Sequence, residues 1–194
     1  MVNLTRIYTR TGDDGTTSLG DMSRTTKNDS RLVAYAEVDE ANCVIGVALA
    51  TSEIPDDVAA VLRRIQNELF DVGADLCTPV IADPQYPPLR VEPDYIERLE
   101  TEIDRYNDEL PKLRSFVLPG GTAASAHLHV ARTVVRRAER ATWAAAEEFG
   151  DVMNTLPATY LNRLSDLLFV LARHANLAEG DILWVPGGQR GQEA

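Results

Sequence analysis

"DDVAAVLRRIQNELFDVGADLC", residues 56–77, decides the fold class. Val58, Val61, Leu62, Ile65, Leu69, Val72 and Leu76 recur at steps of three and four, which is one face of an α-helix that begins at Asp56. The same period runs outward in both directions. Upstream, Ser30 to Thr51 carries Leu32, Val33, Ala36, Cys43, Ile45, Val47 and Leu49 as its apolar stripe and stops at the turn Ser52 to Pro55. Downstream, residues 78–93 hold five of the ten prolines and form a rigid, irregular connection. Asp94 restarts helix with Ile96, Leu99, Ile103 and Tyr106 on one face, ended at Pro111. After Pro119-Gly120-Gly121, Thr122 is the N-cap of a fourth helix that runs to about Phe149 before Gly150. Pro157 suits the first turn of a fifth, which carries Tyr160, Leu161, Leu164, Leu168 and Leu171 toward Gly180.

The expectation is therefore an all-α chain, one domain over 1–194, folded as a mostly up-and-down five-helix bundle. Residues 1–28 form an N-terminal loop ahead of it, and 186–194 a flexible tail behind. Small residues on the fourth helix, among them Ala124, Ala131 and Ala138, allow close helix approach within or between subunits.

A net charge of −11 opposes non-specific attraction to nucleic acid or to an anionic membrane surface. Apolar runs fall short of the ~20 residues that cross a bilayer, and no basic-then-apolar signal opens the chain, so a cytoplasmic protein is expected. Cys43 and Cys77 form no CxxC and sit in helical patterns, which predicts reduced, buried thiols. His127 and His129, at i and i+2, cannot converge on one ion from a helix, and His174 stands alone, so no protein-held metal is expected.

Four stretches carry candidate chemistry. "TRTGDDGTTSLG", residues 9–20, is rich in glycine and hydroxyls. It reads either as a solvated terminus or as a loop whose backbone N–H groups converge on an anion, with Lys27 as a mobile charge beside it. It lacks the GxxxxGK[ST] pattern of a P-loop. "ARTVVRRAER", residues 131–140, places Arg132, Arg136 and Arg140 at i, i+4 and i+8, with Arg137 one position round and Glu139 three after Arg136. That is either a solvated basic face or an anion site, and a chain this acidic favours the anion site. Asn162 and Asp166 share a face of the fifth helix, where the amide reads a nucleobase edge or ribose, or caps a neighbouring helix. Asp39 and Asn42 project from the first helix, Asp39 suited to meeting an arginine across a helix contact.

Together "IYTRTGDDGTTSLGD", "KNDSRLVAYAEVDEANCVIG", "FVLPGGTAASAHLHVARTVVRRAER" and "YLNRLSDLLFVLAR" resemble, in order and over nearly the whole chain, the PduO-type ATP:cob(I)alamin adenosyltransferases. The resemblance implies a five-helix bundle assembled as a homotrimer with active sites between subunits. ATP with Mg²⁺ and cobalamin are its implied ligands. Thr9, Arg10, Thr11, Gly12, Thr17 and Ser18 match the phosphate-binding loop, and Lys27 a group reaching the triphosphate. Arg136, Arg137, Ala138, Glu139 and Arg140 match the nucleotide stretch of the fourth helix, and Asn162 a nucleotide contact on the fifth. Asp39 and Arg132 match a salt bridge across the subunit interface. Phe116 matches an aromatic residue beside the corrin that excludes the lower axial ligand. Arg132, Arg136, Asp39 and Phe116 are thus the implied catalytic set.

The implied reaction moves the 5′-deoxyadenosyl group of ATP to the cobalt of cob(I)alamin, releasing triphosphate. The reduced cobalt is the nucleophile, so the chain needs no nucleophilic side chain of its own. A reductase and an adenosylcobalamin-dependent mutase are implied partners. The alternative is a non-catalytic carrier that binds ATP and adenosylcobalamin for such a mutase. Ala41, where the family more often has leucine, is a departure at a helix-packing position, and Met22 replaces a commoner small residue after the loop; neither is a proposed ligand contact.

Overall fold

The computed structural model describes residues 7–84 and 86–189. Residues 1–6 of the expected N-terminal loop and 190–194 of the expected tail lie outside the described residues. Five helices form the body: α1 (Ser30–Thr51), α2 (Asp56–Cys77), α3 (Pro93–Asn107), α4 (Ala123–Phe149) and α5 (Leu156–His174). Every apolar residue that the period of α2 singles out is buried. α4 is the centre of the bundle, packed between α1 and α5; α2 lies on α1, and α3 on α5. Ala124, Ala131, Ala138 and Ala145 fall every seventh residue on the buried side of α4 and bring its neighbours close.

The bundle forms as expected and differs in detail at the end of α5, along α1 and at the two thiols. α3 packs closely on α5 and reaches α2 chiefly through polar side chains: Arg98 Nε donates to Glu68 Oε1 at 3.2 Å, Tyr95 Oη to Asp71 at 3.0 Å, and Arg64 pairs with Glu102 at 3.4 Å. The chain direction nevertheless alternates as expected: the Asp75 end of α2 holds Val91 ahead of α3 and Asn154 ahead of α5, Tyr106 near the end of α3 donates to Asp57 at the start of α2, and Ser30 at the start of α1 donates to Glu148 near the end of α4. α5 ends at His174 and passes through a turn before Gly180. α1 buries Leu32, Ala34, Val38, Ala41, Ile45 and Ala48, whereas Val33, Ala36, Cys43 and Val47 of the expected stripe are exposed. Apolar residues lie around most of this helix, so several stripes can be drawn on it, and the partners of α1 choose among them. Both thiols are free as expected, but Cys43 is not buried and Cys77 is only half-buried.

Residues beyond the helices fasten the two ends of the bundle. At one end, the opening stretch is a β-hairpin, β1 (Thr16–Ser18) with β2 (Arg24–Thr26), paired antiparallel with Thr17 opposite Thr25. The Thr25 hydroxyl donates to Asp29, whose other oxygen caps α1 through the Arg31 N–H at 2.9 Å. Gly20 N–H donates to the Cys77 carbonyl at 2.9 Å, and a Cβ at Gly20 would lie 2.0 Å from the Thr78 hydroxyl oxygen. Glycine there lets the hairpin sit on the end of α2. The proline-rich connection is held by Asp75, buried at the end of α2, which takes an ion pair from Arg90 and hydrogen bonds from Val91 N–H at 2.8 Å and Asn154 Nδ2 at 2.7 Å.

At the other end, Thr122 caps α4 by accepting from Ser125 N–H at 3.1 Å. Buried Asn176, just past α5, accepts from Thr122 N–H at 3.0 Å and donates to the Gly120 carbonyl at 3.1 Å. Gly121, at φ +96°, leaves room for it, since a Cβ would lie 2.4 Å from the amide. The C-terminal segment then bridges antiparallel to the segment ahead of α4, Val117 opposite Leu183: Leu118 N–H donates to the Ile182 carbonyl and Trp184 N–H to the Phe116 carbonyl, both at 2.8 Å.

Candidate active site

The loop ahead of the hairpin is built by its own hydroxyls and carboxylates. Asp14 Oδ1 accepts from Thr16 N–H at 3.0 Å and from its hydroxyl at 2.7 Å, which lowers the Asp14 pKa, and Arg24 lies 3.7 Å away. Arg24 also donates to the Thr11 carbonyl at 2.8 Å and to the Thr16 hydroxyl, tying the loop to β2. Gly15 turns the chain at φ +82°. Gly12 does not take a positive φ. Its lack of a side chain serves close approach instead, because a Cβ would lie 2.9 Å from the Thr16 carbonyl oxygen and 3.2 Å from both Cε and Nζ of Lys27. The Lys27 ammonium thus lies over Gly12 with no carboxylate partner among the described residues. Thr9 and Thr11 share a hydrogen bond at 3.0 Å, and Arg10 between them takes φ 63° with its guanidinium over the Tyr8 ring. Thr17 and Ser18 fall on β1.

On α4, Arg132, Thr133, Arg136, Glu139 and Arg140 line one pocket of about 320 Å³. The helical spacing read from the sequence therefore brings these four charged groups together. Among the described residues, Arg132, Arg136 and Arg140 have no carboxylate partner, whereas Arg24, Arg90, Arg98, Arg163 and Arg173 each have one. Burial and then the neighbouring Arg136 charge depress the Arg132 pKa, which marks a face that gains from an anion. Asn162 joins from α5, its Nδ2 donating to Glu139 Oε1 at 3.0 Å while its Oδ1 accepts from Arg163 at 3.1 Å.

Two residues of the expected nucleotide stretch point elsewhere. Arg137 turns about 100° round the helix from Arg136 and pairs with Glu37 and Glu40 of α1. Ala138 is buried on the core side, closed off by the packing of α1 and α5. Neither lines the arginine pocket.

Phe116 is 77% exposed at the far end of α4. Its ring meets Trp184 edge to face with centroids 6.0 Å apart, and the two line an open apolar pocket with Leu183, Val185 and Pro186. Sequence spacing does not single out Trp184. Its partner is set by backbone pairing across a gap of nearly seventy residues, which no local spacing encodes. Asp39 is exposed on α1 and lines a different groove, between α1 and α2, with Tyr35, Asn42, Phe70 and Cys77. Within one chain Asp39 and Arg132 are not paired.

The loop and Phe116 occupy opposite ends of the bundle. The hairpin sits by the α2 C-terminus and the start of α1, which Ser30 ties to Glu148 near the end of α4, whereas Phe116 precedes the start of α4. The 27 residues of α4 between these ends amount to about 40 Å at 1.5 Å per residue.

A family described as cobalamin adenosyltransferase matches residues 7–175. The chain is 62% identical over 189 residues to a corrinoid adenosyltransferase of Mycobacterium tuberculosis, spanning 97% of each. It is 47% identical to a cobalamin adenosyltransferase of Cupriavidus metallidurans, over 93% of this chain and 95% of that one. Among solved structures it is similar to a variant PduO-type ATP:corrinoid adenosyltransferase from Lactobacillus reuteri complexed with cobalamin and ATP. That likeness has a TM-score of 0.85 and 37% identity, covering 93% of this chain and all of the other. With the bundle, the threonine-glycine loop and the arginine face all in this arrangement, the chain belongs to the cobalamin adenosyltransferase family.

Proposed function

We propose that this chain transfers the 5′-deoxyadenosyl group of ATP to the cobalt of cob(I)alamin, giving adenosylcobalamin and triphosphate. The observation that carries the reading is the set of unpaired cations on α4: in a chain of net charge −11, Arg132, Arg136 and Arg140 gather in one pocket without a carboxylate partner among the described residues. A triphosphate leaving group supplies the missing anion. Lys27 over Gly12, with the Thr9, Thr11, Thr17 and Ser18 hydroxyls and the Arg10 backbone nearby, forms the second cationic and hydrogen-bonding wall. Asn162 and Glu139, already bonded to each other, offer a polar edge for the nucleoside. Mg²⁺ enters on the triphosphate, whose oxygens serve it as ligands. The chain's own contribution is to aim C5′ at the cobalt and to stabilise the departing charge.

The site is completed by a second copy, in a homotrimer. The loop and Phe116 are separated by the length of α4, and Asp39 has no arginine partner among the described residues. Asp39 of one copy then meets Arg132 of the next. The apolar Phe116–Trp184 wall borders the corrin on the face where a lower ligand would otherwise bind. Neither ring offers the cobalt a ligand, so reduction from cob(II)alamin becomes easier. A cytoplasmic setting suits the exposed free thiol of Cys43, and an electron-donating reductase and an adenosylcobalamin-dependent mutase are the partners this chemistry calls for.

The test is incubation with ATP, Mg²⁺ and chemically reduced cobalamin, following the absorbance change as the cobalt–carbon bond forms. Absence of both adenosylcobalamin and triphosphate would refute the reading. Phe116→Ala separates the wall from the rest: turnover starting from cob(II)alamin falls at least about tenfold further than turnover from pre-reduced cob(I)alamin, a difference of ~1.4 kcal/mol in barrier. Equal losses with both substrates contradict the role given to Phe116.

A further inference from the structure

Beneath the arginine face, α4 carries polar groups that the substrate contacts leave unused. Ser125, His129 and Arg132 succeed one another at steps of four and three and so share one side of the helix. Ser125 and His129 are 0% and 2% exposed. Among the described residues, Ser125 Oγ, both ring nitrogens of His129 and Arg132 Nε are buried with no hydrogen-bond partner. A fourth side chain, from the C-terminal segment, adds to them: Asp181 Oδ1 is equally orphaned, while Oδ2 accepts from Arg173 Nε at 2.8 Å. Arg132 and Asp181 both lie within electrostatic reach of the His129 ring.

Buried polar atoms without partners are rare, and several together point to a common purpose. These are complementary. Arg132 Nε can only donate and Asp181 Oδ1 can only accept. His129 stands between these chemistries: burial first, then the Arg132 charge, lowers its pKa, which keeps the ring neutral with one N–H and one lone pair. A purely apolar packing role at this position would be met by leucine or phenylalanine, without two nitrogens stripped of water. Bridging water, which needs two to four polar partners, fits such a set.

We propose that His129 is a positioning residue for Arg132. Through buried water shared with Asp181, the neutral imidazole gives Arg132 Nε an acceptor and fixes the direction in which its guanidinium leaves α4. Asp181 lies three residues before Trp184, so the same link makes the orientation of Arg132 depend on the ordering of the segment that backs Phe116. The inference rests on the reading that Arg132 belongs to the nucleotide site.

The sign of the stability change separates this role from a structural one. His129→Leu fills similar space and removes two orphaned nitrogens, so its melting temperature stays level or rises. Its KM for ATP nonetheless rises about 2- to 10-fold, the size of one hydrogen bond. His129→Gln, which keeps a donor and an acceptor, recovers most of that loss. In an Arg132→Ala background, His129→Leu adds nothing further. Wild-type kinetics in His129→Leu, a leucine variant that unfolds, failure of glutamine to rescue, or additive losses in the double variant each overturn the proposal. If Arg132→Ala itself retains full activity, the assignment of Arg132 to the site fails first; if Arg132→Ala is impaired and His129→Leu is not, only the positioning role fails.

Discussion

Arg136→Ala is expected to lower kcat/KM for ATP by about 10- to 150-fold, corresponding to the loss of 1.5–3 kcal/mol from charge-assisted hydrogen bonds to the triphosphate. Arg136 is exposed, lies beside Arg132 and Arg140 in one pocket, and has no carboxylate partner among the described residues. Its removal leaves no buried group stranded and relieves repulsion among like charges. The melting temperature should therefore hold steady or rise slightly while activity falls. Arg136→Lys keeps the charge but not the planar fork, and should recover only part of the loss. Steady-state kinetics at varied ATP provide the check, and an unchanged kcat/KM in the alanine variant contradicts a triphosphate contact.

The largest stability effect is expected at Asp75. Its carboxylate is 2% exposed and holds Arg90, the Val91 N–H and the Asn154 amide, which bind the proline-rich connection and the segment before α5 to the end of α2. Asp75→Ala strands the Val91 N–H, takes one acceptor from the Asn154 amide and leaves the Arg90 charge with backbone carbonyls alone, at a cost of about 3–5 kcal/mol. For a chain of this size that is a fall of roughly 6–20 °C in melting temperature. Urea unfolding of the two proteins at matched concentration measures it, and a difference below about 1 kcal/mol means the cluster contributes little. Asp75→Asn, which retains an acceptor of the same shape, should lose less.

Much of the bundle is legible from local signals. The three-four spacing of α2, Thr122 as N-cap, Gly150 as a stop and Pro157 in the first turn of α5 are local causes, and the helices begin and end where they act. α1 is harder, because apolar residues on several sides permit several faces, and only the partners α2 and α4 decide that Ala34 and Ala41 go inward while Val33 and Cys43 go out. The hairpin eludes composition because its three-residue strands depend on contacts beyond themselves, the Gly20–Cys77 bond and the Thr25–Asp29 bond. Site residues divide the same way. The gathering of Arg132, Arg136, Glu139 and Arg140 follows from helical geometry alone. The diversion of Arg137 to Glu37 and Glu40 requires knowing that α1 lies against that side of α4. Trp184 requires knowing where the chain returns after α5.

The separation of the loop from Phe116 by the full length of α4 has a genetic reading. If every reaction centre draws its loop from one copy and its aromatic wall from the next, a defect in either part disables a centre without disabling the chain that carries it. A copy damaged only at Lys27 and a copy damaged only at Phe116 would each be inactive when assembled with its own kind. Refolded together, they would form some junctions where both intact parts meet, and activity would reappear in the mixture. Two recessive lesions in one coding sequence would then compensate for one another, with the recovered activity set by how often unlike copies sit side by side.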